Sequence, residues 1–360
     1  RRGLGGDGRW AEPLSPLSGA TGSKLVMKRA TLIYNPRAGQ LFAAAKIEPV
    51  ADAWRARGWH ITLRATARPG HATELARAAA EAGEQVVLAA GGDGTLGQVA
   101  DGLAGSDTVL APLPMGTANA LARELRLPRL HILDPDAPVT AANALLDGRV
   151  QHVDLNYVQT RGWAGHALLW AGIGADGYLV ERLEPRPTWS KRLGPVGYSI
   201  QALSVLHSLP TLNAVVQVDD QIVEGDWLLI VISNCRLYAG GWLQLSSAAV
   251  FDDGTFEVWL FRAGQVSARL MPPRVGLMAR YLTGVGLNLQ TWDPGVVNLT
   301  GKRVVVEAQG RVPCQRDGEP AGYTPLAAEI RPKALRLLVP PAAPKELFAR
   351  PGVPLVELFP

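Results

Sequence analysis

QVVLAAGGDGTLGQVADGL, residues 85–103, joins an apolar run to a glycine-rich turn and then to a helical pattern. The run at 85–90 reads as a parallel strand buried on both faces, and LGQVADGL as a short helix. In the turn, Gly91, Gly92 and Gly94 carry no Cβ and tolerate positive φ, so the backbone can approach an anion closely. The unpaired N–H groups at the start of the helix would face that anion, with the helix dipole adding to the attraction. Asp93 in the middle would repel a bare phosphate. Its chemistry suits a magnesium ion or a proton instead; the plainer alternative is a βα turn with a capping aspartate.

A second element of the same kind follows. Residues 109–114, VLAPLP, form another short apolar strand that runs into MGTANALAR at 115–123. Thr117 stands at the N-cap of a helix beginning near Ala118, and Gly116 gives the tight entry. The Thr117 hydroxyl and the Asn119 amide can both bond phosphate or ribose oxygens. Two glycine turns after successive strands would lie side by side at the carboxyl edge of a sheet, where open α/β sheets bind ligands.

Outward from these turns the chain divides in two. From Ala30 to about Gly148, β-rich runs (ATLIYN, HITLRAT) alternate with helical patterns near 43–57 and 72–82. Such alternation predicts a parallel sheet with helices on both faces. After Val150, runs such as HALLWA, NAVVQVDD, DWLLIVIS, TFEVWLF and KRVVVEA are separated by Gly, Asp and Pro turns, which favours a mostly antiparallel second domain. The fold expected is therefore α/β: an N-terminal Rossmann-like parallel-sheet domain, a C-terminal mostly antiparallel β-sandwich domain, and a cleft between them. The expected boundaries are 27–149 for the α/β domain and 150–322 for the β-rich domain, with the terminal run 323–340 assigned to the first. Residues 1–26, rich in Gly, Pro and Ser, read as a disordered or non-native leader with Met27 as a natural start. Residues 341–360, rich in Pro, read as a loosely held tail.

Composition agrees with a globular chain of ordinary make-up. The 360 residues are 47% apolar and 19% charged, enough for two domains and a sizeable core. A net charge of +4 without a dense basic run gives no argument for nucleic acid, and suits anionic nucleotides and lipid surfaces. Two cysteines, Cys235 and Cys314, without CxxC spacing, read as buried or idle thiols in a reducing cytosol. The longest stretch free of Asp, Glu, Lys and Arg, residues 193–218, holds two prolines and several polar residues, so no segment reads as transmembrane.

Six blocks in order carry a family likeness: YNPRAG at 34–39 with Thr66 and GHATELA at 70–76; GGDGT at 91–95; LPMGTANALAR at 113–123; HVDL at 152–155; SN at 233–234 with YAGG at 238–241 and FDDG at 251–254; and RDGE at 316–319. The chain resembles the diacylglycerol kinase catalytic-domain family, in particular its bacterial lipid kinases, over roughly residues 27–340. GGDGT alone, shared with NAD kinases and in related form with phosphofructokinases, fixes only the superfamily. The resemblance implies an ATP-dependent, magnesium-dependent kinase that phosphorylates a hydroxyl of diacylglycerol, a sphingoid base or a related glycerolipid. It implies a nucleotide site of Asn35, Thr66, Gly91, Gly92, Asp93, Gly94, Thr95, Gln98, Gly116, Thr117 and Asn119. It makes Glu319 or Asp317 the general base, with Glu319 favoured, and places Asp93 beside them. It also places a second magnesium at Asp253 and the carbonyls of Val250 and Thr255, in a DG dipeptide that reads structurally as a hairpin turn. The expected partners are ATP and a lipid at a membrane surface, without nucleic acid; a homodimer stays open. The expected setting is the cytoplasm with transient peripheral membrane association.

Other features point elsewhere or depart from the pattern. GIGADG at 172–177 fits a dinucleotide fingerprint, but a loop-like PRPTWSKRLG follows where that reading needs a strand ending in an acid. That loop, with Trp189 among Arg182, Arg186, Lys191 and Arg192, reads either as a membrane-interface element or as an ordinary charged loop. The other tryptophans, from Trp54 to Trp292, read as core or interface residues, and His152 and His166 as structural. The family's usual Asn-Glu after GGDGT is Gly97-Gln98 here, its usual Asp after GTxN is Ala120, and the Gly expected after Val-Asp-Leu is Asn156. Lost carboxylates keep two alternatives alive: a catalytically weak nucleotide- or lipid-binding regulator, and an enzyme like NAD kinase.

Overall fold

The structure, a computed structural model, describes residues 27–36, 44–116, 118–129, 134–183, 209–264 and 273–360. The loop around Trp189, Thr117 and the leader lie outside the described residues. The first half is built from β1 (Lys28–Tyr34), α1 (Ile47–Arg55), β2 (Trp59–Ala65), α2 (His71–Glu81), β3 (Val86–Gly91), α3 (Asp93–Leu103), β4 (Val109–Pro114), α4 (Ala120–Glu124) and α5 (Ala137–Leu146). Strands β2, β1, β3 and β4 are parallel neighbours in that order. Every residue of β3 and β4 is buried, as helices on both faces require. The helices supply their apolar stripes: α1 buries Ile47, Val50, Ala51 and Trp54, one face at helical spacing.

The second half comprises β5 (Arg149–Arg161), β6 (Trp163–Ala167), β7 (Trp170–Gly174), α6 (Ala175–Leu183), β8 (Leu212–Val218), β9 (Gln221–Ser233), β10 (Leu237–Tyr238), β11 (Leu243–Gln244), β12 (Phe256–Arg262), α7 (Pro273–Gly286), β13 (Val296–Gly301), β14 (Arg303–Ala308), β15 (Pro313–Arg316), β16 (Glu319–Val339), β17 (Val353–Pro354) and α8 (Leu355–Leu358). Its pairings among β5–β9 and β12–β15 are antiparallel. The alternating burial of β8, BiBeBeB, is that of a sheet packed on one face. Its inner face joins Trp227, Ile230, Phe256, Val258 and Val306 in a second core, separate from the first.

One strand serves both halves. β16 is 21 residues long and leaves β15 at a hairpin where Arg316 pairs with Glu319. It runs antiparallel along β5 and β14 and ends parallel to β4, Arg336 against Val109. The returning strand thus begins at Glu319, ahead of the expected 323, and joins the two halves into one continuous sheet path.

Three readings of the sequence are corrected here. HALLWA is not one strand: it breaks between β6 and β7, because the N–H groups of its centre bond a side chain, Asp317, instead of a neighbouring strand. The tail is packed, since β17 pairs with β5, Leu347 and Leu355 are 2% exposed, and Phe359 lies 5.7 Å from the Trp59 ring. Apolar residues set among the prolines outweigh the prolines' bias against regular structure. Trp242 and Trp292, expected in the core or at the domain interface, are 60% and 84% exposed; Trp242 stacks under Arg123 at 4.2 Å. Among the described residues no helix is long and apolar enough to cross a membrane.

Candidate active site

The parallel sheet gathers the expected nucleotide residues by geometry alone. Asn35 follows β1, Thr66 follows β2, Gly92 follows β3 and Gly116 follows β4, so all four stand at the carboxyl edge. The two glycine turns touch: a Cβ on Gly116 would lie 2.3 Å from Gly92 Cα, closer than any side chain tolerates. Gly91 is equally constrained, because Thr95 folds back to within 2.5 Å of where its Cβ would be. Gly91 O accepts the N–H groups of Met115 and Gly116 at 2.9 and 3.1 Å and so closes the rim.

Asp93 and Asn119 brace this rim with their side chains. Asp93 Oδ2 accepts the Ala120 N–H at 2.9 Å and Oδ1 the Leu121 N–H at 3.3 Å, so the carboxylate caps α4, the helix of the neighbouring turn. Burial pushes its pKa up to about 6, with the negative charge of Asp317 adding, against the pull of those two donors. The Asn119 amide is spent on Gly116: it donates to the Gly116 carbonyl at 2.7 Å and accepts the Gly116 N–H at 3.0 Å. These bonds hold Asn119 at φ 59, a left-handed conformation that Asn tolerates better than most residues. Asp93 and Asn119 are thus engaged in shaping the rim, and the Gly116 N–H with them.

The two acids of the RDGE block reach this rim from the far side. Asp317 and Gly318 have φ of 46° and 82°, the left-handed pair that a tight two-residue hairpin needs. Asp317 is 2% exposed, and its carboxylate accepts the N–H groups of Leu168 and Leu169 at 2.8 Å and of Trp170 at 3.2 Å. Burial raises its pKa although Arg316 and these donors oppose the shift. Arg316 is held over the Trp163 ring at 4.7 Å and donates to the His166 carbonyl at 3.2 Å. Glu319 is only half-buried and lies against the first turn of α3: a Cβ on Gly94 would sit 2.9 Å from its Cγ and Oε1. The pair thus divides. Asp317 ties β15 to β6 and β7, and Glu319 faces the glycine turn.

Two further residues, Asp176 and Gln315, escaped the sequence reading. Asp176, in the GIGADG block, has its pKa pushed up to about 6 by burial, while Tyr238 and Gln315 bond it. Gln315 Nε2 lies 2.6 Å from Asp176 Oδ2, and Gln315 Oε1 accepts the Gly318 N–H at 2.9 Å, so a buried acid braces the turn that carries Glu319. Gly172 is needed for this, since its Cβ would lie 1.9 Å from Asp176 Oδ2. A buried carboxylate two residues after a strand gives no signal in sequence beyond the glycines around it. Asn156 is fully buried and its amide finds no partner among the described residues, a departure that nothing in the structure explains.

The Asp252–Asp253 turn stands apart from this cluster. It follows a loop and is not a hairpin between paired strands, because β12 pairs with β9 and β13. Asp253 is exposed, and its Oδ1 accepts the Thr255 N–H and hydroxyl at 2.9 Å. Asp154 bonds the turn through the Gly254 N–H at 2.7 Å; burial raises its pKa, and the charges of Asp253 and Asp252 add to the rise. Among the described residues no three His, Cys, Asp or Glu side chains converge as a metal cluster. The side chains here offer hard oxygens, the donor type a hard cation takes.

Comparison with known proteins meets this geometry from outside. A family model described as the diacylglycerol kinase catalytic domain matches residues 29–158, and the YegS C-terminal NAD kinase beta sandwich-like domain matches residues 173–339. The diacylglycerol kinase of Bacillus subtilis (strain 168) is 28% identical over 302 residues, 83% of this chain and 92% of that protein. A Pseudomonas putida protein named "Probable lipid kinase YegS-like" is 33% identical over 298 residues, 82% of this chain and 90% of that protein. A crystal structure of a diacylglycerol kinase from Bacillus anthracis str. Sterne, 22% identical, superposes with a TM-score of 0.63 over 88% of this chain and 98% of that one.

Proposed function

The chain belongs to the diacylglycerol kinase catalytic-domain family of lipid kinases, and from that premise we propose that it transfers the γ-phosphate of ATP to a hydroxyl of diacylglycerol or a related lipid. The observation that carries this reading is Glu319 packed on the first turn of α3, beside two glycine turns in contact. The nucleotide would lie along the carboxyl edge, with its phosphates on N–H groups of the two glycine turns and its remainder toward Asn35 and Thr66, the Gln98 amide being engaged by Glu319. Glu319 accepts the proton of the lipid hydroxyl as that oxygen bonds to the γ-phosphorus. The bond from phosphorus to the β–γ bridging oxygen breaks, and ADP leaves with that electron pair. Asp317, held by three N–H groups, anchors the turn. Glu319 is the base of the two that geometry favours.

Magnesium carried by the triphosphate would neutralise charge on the transferring group. A second ion would suit Asp253 with the carbonyls of Val250 and Thr255, where it would fix the turn. We read residues 27–149 with 323–340 as the nucleotide lobe and 150–322 as the lipid lobe. The setting we infer is the cytoplasm, with transient contact with a membrane that supplies the lipid; self-association as a homodimer is compatible with it. An enzyme like NAD kinase is not favoured, because the matched relatives are named as lipid kinases.

The test is transfer of radiolabelled γ-phosphate to a total lipid extract by the wild type, Asp93→Ala and Glu319→Ala. The expected outcome is a labelled lipid from the wild type and a loss of about 10²–10⁴-fold in Glu319→Ala. Transfer to NAD alone, or ATP binding with no lipid product, overturns the proposal.

A further inference from the structure

The residue that stands where the family's usual glutamate would be is in direct contact with the acid assigned as base. Gln98 Nε2 lies 2.7 Å from both Oε1 and Oε2 of Glu319. An amide nitrogen donates and never accepts, so Glu319 is the acceptor in this contact, and the charged carboxylate, which accepts at both oxygens, is the form the contact favours. Gln98 is itself 7% exposed, and its backbone is pinned where Thr73 Oγ1 donates to its carbonyl at 2.9 Å. A buried amide on a pinned backbone has little freedom to go elsewhere.

The helix that carries Gln98 is cut to receive the acidic turn. Gly94, Gly97 and Gln98 share one face of α3 at i, i+3 and i+4. At Gly94 the missing Cβ leaves room for Glu319. At Gly97 it leaves room for Asp317, whose Oδ2 would be 2.4 Å from a Cβ there. The next residue on that face, Asp101, accepts the His166 N–H at 2.8 Å and so fastens β6 as well. Both departures at 97 and 98 are therefore matched by what they touch: a smaller residue faces Asp317, and an uncharged donor faces Glu319. The other titratable groups of the cluster include Asp93 and Asp317, both carboxylates, and the charge of Asp317 raises Asp93. Arg316 acts on Asp317, and the charge of Asp93 acts on Arg123. A further carboxylate at 98 would add a like charge within hydrogen-bond distance of Glu319.

We propose that Gln98 is a positioning residue for phosphoryl transfer, its amide holding the Glu319 carboxylate against the first turn of α3 in the orientation that accepts the proton. This assignment deepens the kinase reading and rests on it for the role of Glu319. The amide touches the base and acts on the lipid hydroxyl only through it.

The test compares wild type, Gln98→Met and Gln98→Glu. Methionine keeps length and burial but removes the donor; glutamate keeps the shape and adds the charge. The expected result for Gln98→Met is kcat lowered about 10-fold or more, KM for ATP within about 2-fold, and the acid limb of the pH–kcat profile moved up by about one pH unit. Gln98→Glu moves the limb further in the same direction. Wild-type kcat and an unmoved acid limb in Gln98→Met overturn the proposal, as does a fall in melting temperature with no change in the limb. A turnover-independent measurement keeps it separate from the reading it rests on: a ¹³C-carboxylate titration of Glu319, its signal identified by loss in Glu319→Gln. Glu319 is expected to titrate lower in the wild type than in Gln98→Met, and equal values overturn the assignment. A wild type that phosphorylates no lipid would sink the kinase reading, while the titration still decides whether Gln98 holds the carboxylate charged.

Discussion

Two Asp-Gly turns, 253–254 and 317–318, look alike along the chain and end in opposite surroundings. Asp253 is exposed and, among the described residues, bonds within its own turn, through the Thr255 N–H and hydroxyl. Asp317 is 2% exposed and gathers three N–H groups from residues nearly 150 positions away. The dipeptide sets the local backbone in both, because Gly254 and Gly318 each take φ near 80°. What the carboxylate does is set by the surface it meets. An exposed one stays available to a cation, whereas a buried one must be satisfied by donors and becomes a fastener.

That contrast can be broken most forcefully at the buried end. Asp317→Ala leaves three N–H groups without their charged acceptor, and is expected to lower unfolding free energy by about 3 kcal/mol. Urea denaturation measures it, and a loss under about 1 kcal/mol would mean that the segment between β6 and β7 finds other partners. The pH dependence of stability comes next. Burial raises Asp93 and Asp176 to about 6 and Glu124 to about 7, so the folded state holds protons that the unfolded chain releases near pH 4. With more protons on the native state, stability must fall as pH rises from about 4 to 7 and level off above. Glu124→Gln is expected to flatten this slope, and melting curves at pH 5.5 and 7.5 would show it.

Glycine exchanges sharpen the same comparison. Gly97→Ala would place a methyl 2.4 Å from Asp317 Oδ2 and is expected to destabilise by about 1–3 kcal/mol. Gly254→Ala meets nothing within 4 Å and is strained only by its φ of +79°, so about 1 kcal/mol is expected. Equal effects at both sites, read by denaturant midpoint, would mean that the contact at Gly97 relaxes. The smallest effect belongs to the exposed acid. Asp253→Ala should change metal-free stability by no more than about 0.5 kcal/mol and should remove whatever thermal stabilisation magnesium gives the wild type. A magnesium response that survives Asp253→Ala places the ion elsewhere.

Much of this was legible in one dimension. The strand–glycine turn–helix at 85–103 and its partner at 109–123 announce a parallel sheet because period, length and glycine placement are local properties. The contact of Gly92 with Gly116 follows from two such units on neighbouring strands. Local signals misled where a distant group intervened. HALLWA has the composition of one strand and is split by Asp317, and the proline-rich tail is held by Leu347, Leu355 and Phe359. Thr117 and the loop around Trp189 lie outside the described residues.

By itself, then, the sequence determined which residue types stand at the rim of the sheet and which short acidic turn answers them, since each is encoded within a few positions. Only the tertiary structure decided how the acids divide their roles. Asp93 caps α4, Asp317 fastens β6 and β7, and Glu319 meets Gln98 across 221 positions of chain. The physical reason is that a carboxylate's behaviour depends on its desolvation and on the donors around it, and those are supplied by segments that come together only when the chain folds.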